Sequence, residues 1–274
     1  MNPYLKAQRI GFLGAGNMAQ AMIKGMVEGG FPNDHVFASN RSTGKLQKLE
    51  DLYKIQTFTS NEALVEKSDI LILSVKPQDL LAAIEPLTAA FNPNQIVISI
   101  AAGITIDTLE KFMPNCRIAR VMPNTPSIIG RGVIGYVTNE QDEALETLVE
   151  DLFAPLGKVI HNEDEDQFEA LMVACSSGTG FVFELMTYWQ EWLQEHGFEG
   201  EDARQMTIET FLGASMLATQ SKDGIEELQA RVTSKKGVTA AGLQSMRELE
   251  IERALRISFE KAAMRNKEMA REIK

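Results

Sequence analysis

Residues 9–19 read Arg-Ile-Gly-Phe-Leu-Gly-Ala-Gly-Asn-Met-Ala, which places Gly-x-Gly-x-x-Ala at Gly14, Gly16 and Ala19. The pattern directly follows an apolar run and opens a stretch with helical character, Met18–Val27. In that setting each small residue has a task. Gly14 permits a tight turn, Gly16 lets the main chain approach a pyrophosphate, and Ala19 keeps helix and strand close. The helix start then offers free N–H groups to the anion. Gly14, Ala15, Gly16, Asn17, Met18 and Ala19 are therefore the expected pyrophosphate-binding residues, the alternative being a glycine-rich turn with no ligand.

The next strand bears on which dinucleotide binds. A site for NAD usually carries an acidic residue about 20 residues on, to hold the ribose 2′-hydroxyl. Here the strand ends Ala38-Ser39-Asn40-Arg41-Ser42-Thr43, with no carboxylate. Arg41 offers a planar cation to a 2′-phosphate, and Asn40 a hydrogen-bonding amide. NADPH is the expected cofactor, with NADH second. Lys76, in Ser74-Val75-Lys76-Pro77, follows the apolar run Ile70–Leu73 and is placed to reach ribose or phosphate, unless it only caps the strand. Ala101-Ala102-Gly103 follows a further strand, and its small residues let a flat nicotinamide approach the backbone, though a plain tight turn has the same composition.

Elements that alternate must position these residues. Short β-rich runs at Arg9–Leu13, His35–Ser39, Asp69–Val75, Gln95–Ile100, Arg117–Val121 and Gly132–Val137 are separated by helical patterns. That alternation predicts a parallel sheet wound by right-handed crossovers. All nine prolines lie at or before Pro155. Beyond about residue 160 the period becomes helical: Val182, Leu185, Met186, Trp189 and Leu193 fall on one face, and further helical runs cover Glu201–Ser221 and Ala241–Ile273. The expected architecture is α/β, a Rossmann-type dinucleotide-binding domain over residues 1–160 and an all-helical domain over 161–274.

Composition narrows the function classes. The 274 residues are 44% apolar and 24% charged, as in a folded globular chain long enough for two domains. A net charge of −11 opposes nucleic-acid backbones. No run of uncharged apolar residues approaches the roughly 18–20 of a membrane span, and Met1–Arg9 carries no secretory apolar segment. Cys116 and Cys175 give neither a disulfide framework nor a zinc spacing, and read as buried thiols in a reducing cytoplasm. No metal site is expected. His35 is placed on a strand, His161 in a loop and His196 near a helix end; Glu163-Asp164-Glu165-Asp166 reads as a solvated acidic loop.

Arg120-Val121-Met122-Pro123-Asn124-Thr125-Pro126 is a long and specific string. Together with the Gly14–Ala19 motif, Val75-Lys76-Pro77 and Ser177-Gly178-Thr179-Gly180, it resembles the pyrroline-5-carboxylate reductase family. The resemblance implies an NAD(P)H domain followed by a helical dimerisation domain, a homodimer or higher homo-oligomer, and a small-molecule substrate bound near the subunit interface. It also implies hydride transfer from nicotinamide C4 to the C5 imine carbon of 1-pyrroline-5-carboxylate, giving L-proline, the final step of proline biosynthesis. Lys76, Ala101 and Asn124 would line the ribose–nicotinamide side. Thr239 would hydrogen-bond the ring nitrogen as the catalytic residue, with Ser234, Gly237 and Val238 receiving the substrate carboxylate.

The helical half departs from that family in places. Phe181-Val182-Phe183 stands where the family carries Pro-Ala-Tyr, and Gln167 and Leu171 stand at its acidic positions. The substrate loop, usually Thr-Ser-Pro-Gly-Gly-Thr-Thr, is Thr233-Ser234-Lys235-Lys236-Gly237-Val238-Thr239. These changes bear on the exact substrate, so another cyclic imino acid stays open. A β-hydroxyacid dehydrogenase shares the two-domain plan but uses a lysine on the long interdomain helix, and Gly178–Glu195 contains none. A non-catalytic nucleotide-binding dimeric scaffold is the alternative from another class.

Overall fold

A computed structural model describes residues 3–139 and 142–272. The chain divides into two compact units, Met1–Ser177 with Ala262–Lys274, and Gly178–Lys261. The first unit contains α1 (Pro3–Lys6), β1 (Ile10–Leu13), α2 (Asn17–Glu28), β2 (Val36–Ser39), α3 (Thr43–Tyr53), β3 (Gln56–Phe58), α4 (Asn61–Lys67) and β4 (Ile70–Leu73). It continues through α5 (Pro77–Ile84), β5 (Ile96–Ser99), α6 (Ile106–Glu110), β6 (Arg117–Pro123), β7 (Gly132–Thr138), α7 (Glu143–Phe153), β8 (Gly157–His161) and α8 (Glu165–Leu171).

The strands form one sheet in the order β3-β2-β1-β4-β5-β6-β7-β8. Strands β1, β2, β4 and β5 are buried at every residue, which is why they read as unbroken apolar runs rather than alternating ones. Ile10, Phe12, Ile70, Ile72, Ile98 and Val121 pack one face of the sheet against residues of α2, α3 and α7 such as Met22, Leu46 and Leu148. From β1 the chain winds outward to β3, then returns past β1 and winds the other way from β4. The crevice at the carboxyl ends of β1 and β4 follows from that reversal.

Parallel pairing holds through β6, but β7 runs antiparallel to β6. The link is only a 3₁₀ turn, Thr125–Ile129, closed by Gly130 at φ +70°, too short for the crossover that a parallel neighbour needs. The edge strands β3 and β8 are additional to the runs expected from sequence. His35 ends a 3₁₀ turn just before β2, and His161 is the last residue of β8, its ring stacked on Tyr136 at 4.9 Å. The first unit also runs past residue 160, to Ser177. Phe168 of α8 is fully buried, and Met172 and Val173 follow it inward on a π-helical turn, Met172–Ser177. Cys116 is buried, and burial pushes its thiol up to about 11, which leaves it protonated and inert at neutral pH.

The second unit is helical: α9 (Gly178–Glu195), α10 (Gly200–Gln220), α11 (Ile225–Arg231), α12 (Val238–Glu248) and the first part of α13 (Ile251–Glu272). The expected run Ala241–Ile273 is two helices, because Glu250 takes the left-handed φ of +50° between them; Ile273 lies outside the described residues. Trp189 meets Phe211 edge-on at 5.3 Å, and Phe181 meets Phe259 at 5.2 Å. Much apolar surface is left uncovered, including Val182, Phe183, Trp189, Trp192, Leu212 and Met216. By length and composition alone, the continuous helical stretch Glu165–Glu195 contains an 18-residue window apolar enough for a membrane span, at a mean hydropathy of 1.3.

Candidate functional site

The crevice at the β1–β4 ends is a cleft of about 220 Å³ bounded by three strand-to-helix turns. Residues Leu13–Gly16 come from the turn after β1, Ser39–Arg41 from that after β2, and Ser74–Lys76 from that after β4. Gly14 takes φ +106°, and a Cβ there would stand 2.9 Å from the Ser74 carbonyl carbon and oxygen, so only glycine fits. The Ser74 hydroxyl lies within hydrogen-bonding distance of both the Leu13 carbonyl, at 3.1 Å, and the Gly14 carbonyl, at 2.8 Å, which locks the two turns together. Gly16 is the N-cap of α2 with ordinary extended backbone, and a Cβ there would meet only the Ser74 carbonyl at 3.7 Å. Packing therefore does not require glycine at position 16.

Several side chains around the cleft are already engaged. Asn40 accepts the Ala15 N–H at 3.2 Å and donates to the Ser42 carbonyl at 3.1 Å, so its amide first of all holds the two turns. The Ser39 hydroxyl donates to Asn61 Oδ1 at 2.8 Å. Arg41 is largely exposed, with its guanidinium 3.8 Å from the Asp79 carboxylate. Asp79 is thus close enough to compete with an anion for Arg41. Lys45, from the first turn of α3, lines the same cleft, so Arg41, Lys45 and Lys76 bring three cations around it. Sequence reasoning missed Lys45, Asn61, Ser74 and Asp79. Lys45 could have been found as a second cation just past the strand end that lacks a carboxylate; the others give no sequence signal.

Gly14, Ala15, Gly16, Asn40, Arg41 and Lys76 are brought together, with Asn17, Met18 and Ala19 beginning the adjoining α2. Ala101 and Asn124 are buried and do not line this cleft. Asn124 caps the 3₁₀ turn after β6, donates to the Cys175 carbonyl at 3.1 Å and accepts the Val133 N–H at 2.9 Å. Ser234, Gly237, Val238 and Thr239 belong to the helical unit, where Gly237 caps α12 and donates to the Ser234 carbonyl at 2.9 Å. Lys236 holds φ +62°, a conformation that favours glycine. Val238 and Thr239 are exposed. Glu163, Asp164 and Asp166 of the acidic run are exposed as expected, but the run opens a helix rather than a loop: Asp164 caps α8 through the Gln167 N–H, and Glu165 pairs with buried Arg120. Among the described residues no cluster of His, Cys, Asp or Glu could hold a metal.

A curated pyrroline-5-carboxylate reductase from Pseudomonas aeruginosa is 32% identical over 271 residues, 98% of this chain and 99% of the relative. The chain belongs to the pyrroline-5-carboxylate reductase family. A Bacillus subtilis pyrroline-5-carboxylate reductase 1 is also 32% identical, over 100% of this chain and 93% of its own. Residues 165–269 match the family model for pyrroline-5-carboxylate reductase dimerisation, and residues 9–103 match that for NADP oxidoreductase, coenzyme F420-dependent. The solved Coxiella burnetii pyrroline-5-carboxylate reductase superposes with a TM-score of 0.89 at 30% identity, covering 96% of this chain and 98% of the other. The Plasmodium falciparum pyrroline carboxylate reductase, solved with NADP bound, shares the fold at a TM-score of 0.85 and 22% identity, over 97% and 99% of the two chains. This family membership accounts for the α/β architecture with a Rossmann-type first unit and a helical second one.

The two glycines of the cradle separate folding from binding. Gly16→Ala should leave the thermal unfolding midpoint unchanged and weaken NADPH binding about tenfold or more, a change of roughly 1.4 kcal/mol. Gly14→Ala should destabilise by about 2–5 kcal/mol through its strained φ and its clash with Ser74. Calorimetric titration and thermal melts check both, and undiminished NADPH affinity in Gly16→Ala would show that no cofactor touches the main chain there.

Proposed function

We propose that this protein is an NADPH-dependent oxidoreductase that reduces 1-pyrroline-5-carboxylate to L-proline, the final step of proline biosynthesis. The observation that carries this reading is identity over nearly the full length with reductases of that name, in a chain whose β1–α2 cradle retains its glycines. The cradle fits the cofactor: a helix N-terminus and a glycine with spare room face the cleft, and Arg41, Lys45 and Lys76 supply cations, with no carboxylate at the end of β2. In the same reading the protein is a cytoplasmic homodimer or larger homo-oligomer, with no nucleic-acid or membrane partner. Its charge of −11 and the uncovered apolar faces of α9 and α10 support that.

Bound NADPH supplies the hydride. Residues Gly14–Met18 hold the pyrophosphate, Arg41 reads the 2′-phosphate with Asn40 shaping the turn, and Lys76, Ala101 and Asn124 orient the ribose–nicotinamide end. The Ser234–Val238 backbone receives the substrate carboxylate, and the Thr239 hydroxyl oxygen accepts the N–H of the protonated ring. A protonated cyclic imine is already electrophilic, so orientation is the main demand, worth roughly 7–11 kcal/mol in well-aligned reactions. Another cyclic imino acid is the second reading, favoured by the Lys235-Lys236 pair in the loop.

Steady-state NADPH oxidation with pyrroline-5-carboxylate and other cyclic imines tests the reading directly. Rapid turnover is expected; cofactor binding without turnover would instead support a scaffold. Arg41→Ala should raise the KM for NADPH about tenfold, the low end of the roughly 1.5–3 kcal/mol for a charge-assisted hydrogen bond, because Arg41 is exposed. The KM for NADH should hardly change, and equal losses with both cofactors would remove Arg41 from 2′-phosphate recognition.

The substrate loop has its own test. Thr239→Ala should lower turnover about tenfold or more, from a lost hydrogen bond of roughly 1.4 kcal/mol. Replacing both Lys235 and Lys236 by alanine should change turnover little at physiological salt, since both are exposed and screened. The reverse pattern would mean a loop rebuilt for a different acid.

Light scattering at micromolar concentration tests assembly. At least a dimer is expected, because an obligate interface commonly buries more than about 2,000 Å². A folded, active monomer would contradict it.

A further inference from the structure

One carboxylate oxygen in the first unit joins three segments that are far apart in sequence. Glu165 Oε1, at the start of α8, accepts from Arg120 Nη1 of β6 at 3.0 Å and from the backbone N–H of Ile106, the first residue of α6, at 2.8 Å. Arg120 is only 1% exposed, with its guanidinium 4.7 Å from the centre of the Phe168 ring. Its Nε and Nη2 have no hydrogen-bond partner among the described residues. Ser99, the last residue of β5, lies beside Arg120 in the sheet, and its hydroxyl accepts the Ala101 N–H at 3.4 Å.

We propose that Arg120 and Glu165 are positioning residues for the nicotinamide side of the site, an inference that rests on the reductase reading above. Stability does not explain the pair. A buried arginine with two donors unmade gains little net free energy from one partly exposed carboxylate, and apolar residues of similar volume usually serve stability as well or better. Apolar residues cannot accept the Ile106 N–H, one of the free donors at the start of α6. The segment from Ala101 to Thr105 is thereby held at both ends, by Ser99 near its start and by Glu165 just past its end. Through Arg120 the same carboxylate fixes that segment against β6, the strand that runs on to Asn124. Ala101 and Asn124, both assigned to the nicotinamide side, are thus tied to one clamp.

The test compares variants by four readouts: thermal midpoint, binding of 2′,5′-ADP as a probe of the adenosine end alone, NADPH binding, and kcat with pyrroline-5-carboxylate. The double variant Arg120→Met, Glu165→Leu should melt at or above the wild-type midpoint and bind 2′,5′-ADP normally. It should bind NADPH about threefold to tenfold more weakly and lose about tenfold or more in kcat. Arg120→Met with Glu165→Gln, which restores an acceptor for Ile106, should recover a large part of both losses. A stable double variant with wild-type NADPH affinity and kcat overturns the proposal, as does equal loss of 2′,5′-ADP and NADPH binding. Should the double variant not fold, Arg120→Lys serves: unchanged kcat and NADPH affinity in it would overturn the proposal, and a loss confined to the nicotinamide end would support it. Failure of the wild type to reduce pyrroline-5-carboxylate would sink the substrate assignment, while the NADPH and 2′,5′-ADP comparison would still judge the clamp.

Discussion

The cleft exists because the backbone at Gly14 lies against the backbone at Ser74. Strand β4 must take the place on the free side of β1 after the chain has wound outward to β3, and the two strands end side by side. Their turns cannot both pass unless one of them lacks a side chain, and a Cβ at Gly14 would fall within 2.9 Å of the Ser74 carbonyl. The Ser74 hydroxyl then bridges the carbonyls of Leu13 and Gly14, so the β1 turn is fixed before any ligand arrives. Asn40 holds the third turn to the same point through the Ala15 N–H. Once these contacts are made, the start of α2, Arg41 and Lys76 all border one crevice.

The helical unit works under the opposite constraint. In α9 only Gly178 is fully buried, although Val182, Trp189 and Leu193 repeat at helical spacing. A stripe of that kind left in water would cost roughly 1.5–3 kcal/mol for each large side chain that could have been covered. The other helices of the unit do not cover it, which agrees with the dimerisation model matched by residues 165–269. The sheet unit is specified by its own packing, whereas the helical unit carries a surface whose sequence is shaped by something outside the chain.

Much of this was legible from residue types, and the failures have physical causes. The buried strands β1, β4 and β5 stood out because burial on both faces writes an unbroken apolar run. Strand β3, Gln56-Thr57-Phe58, did not, because an edge strand of three partly exposed residues has no such run to show. Strand β8 was hidden for the same reason, with Lys158 and His161 facing outward. The reversal at β7 is set by the length of the Asn124–Arg131 turn, which strand propensity does not encode. The nucleotide motif was readable because its glycines answer to backbone geometry. Glu165 was not, because a carboxylate in an acidic run looks solvated until a buried arginine from a distant strand is found beneath it.

The substrate loop shows the same separation between shape and residue type. Lys236 holds φ +62° at the place where the family pattern carries glycine, a conformation that costs a residue with a side chain about 1–2 kcal/mol. An exposed loop free to relax would shed that strain. Here Gly237 caps α12, its N–H donates to the Ser234 carbonyl, and the Ala241 N–H donates to the Gly237 carbonyl, so the turn is fixed on both sides of Lys236. The Lys235-Lys236 pair therefore adds charge to a turn whose backbone is held by hydrogen bonds of the chain itself. Thr239 stands on the first turn of the helix that this turn begins. The shape of this turn thus rests on its backbone hydrogen bonds more than on any one side chain.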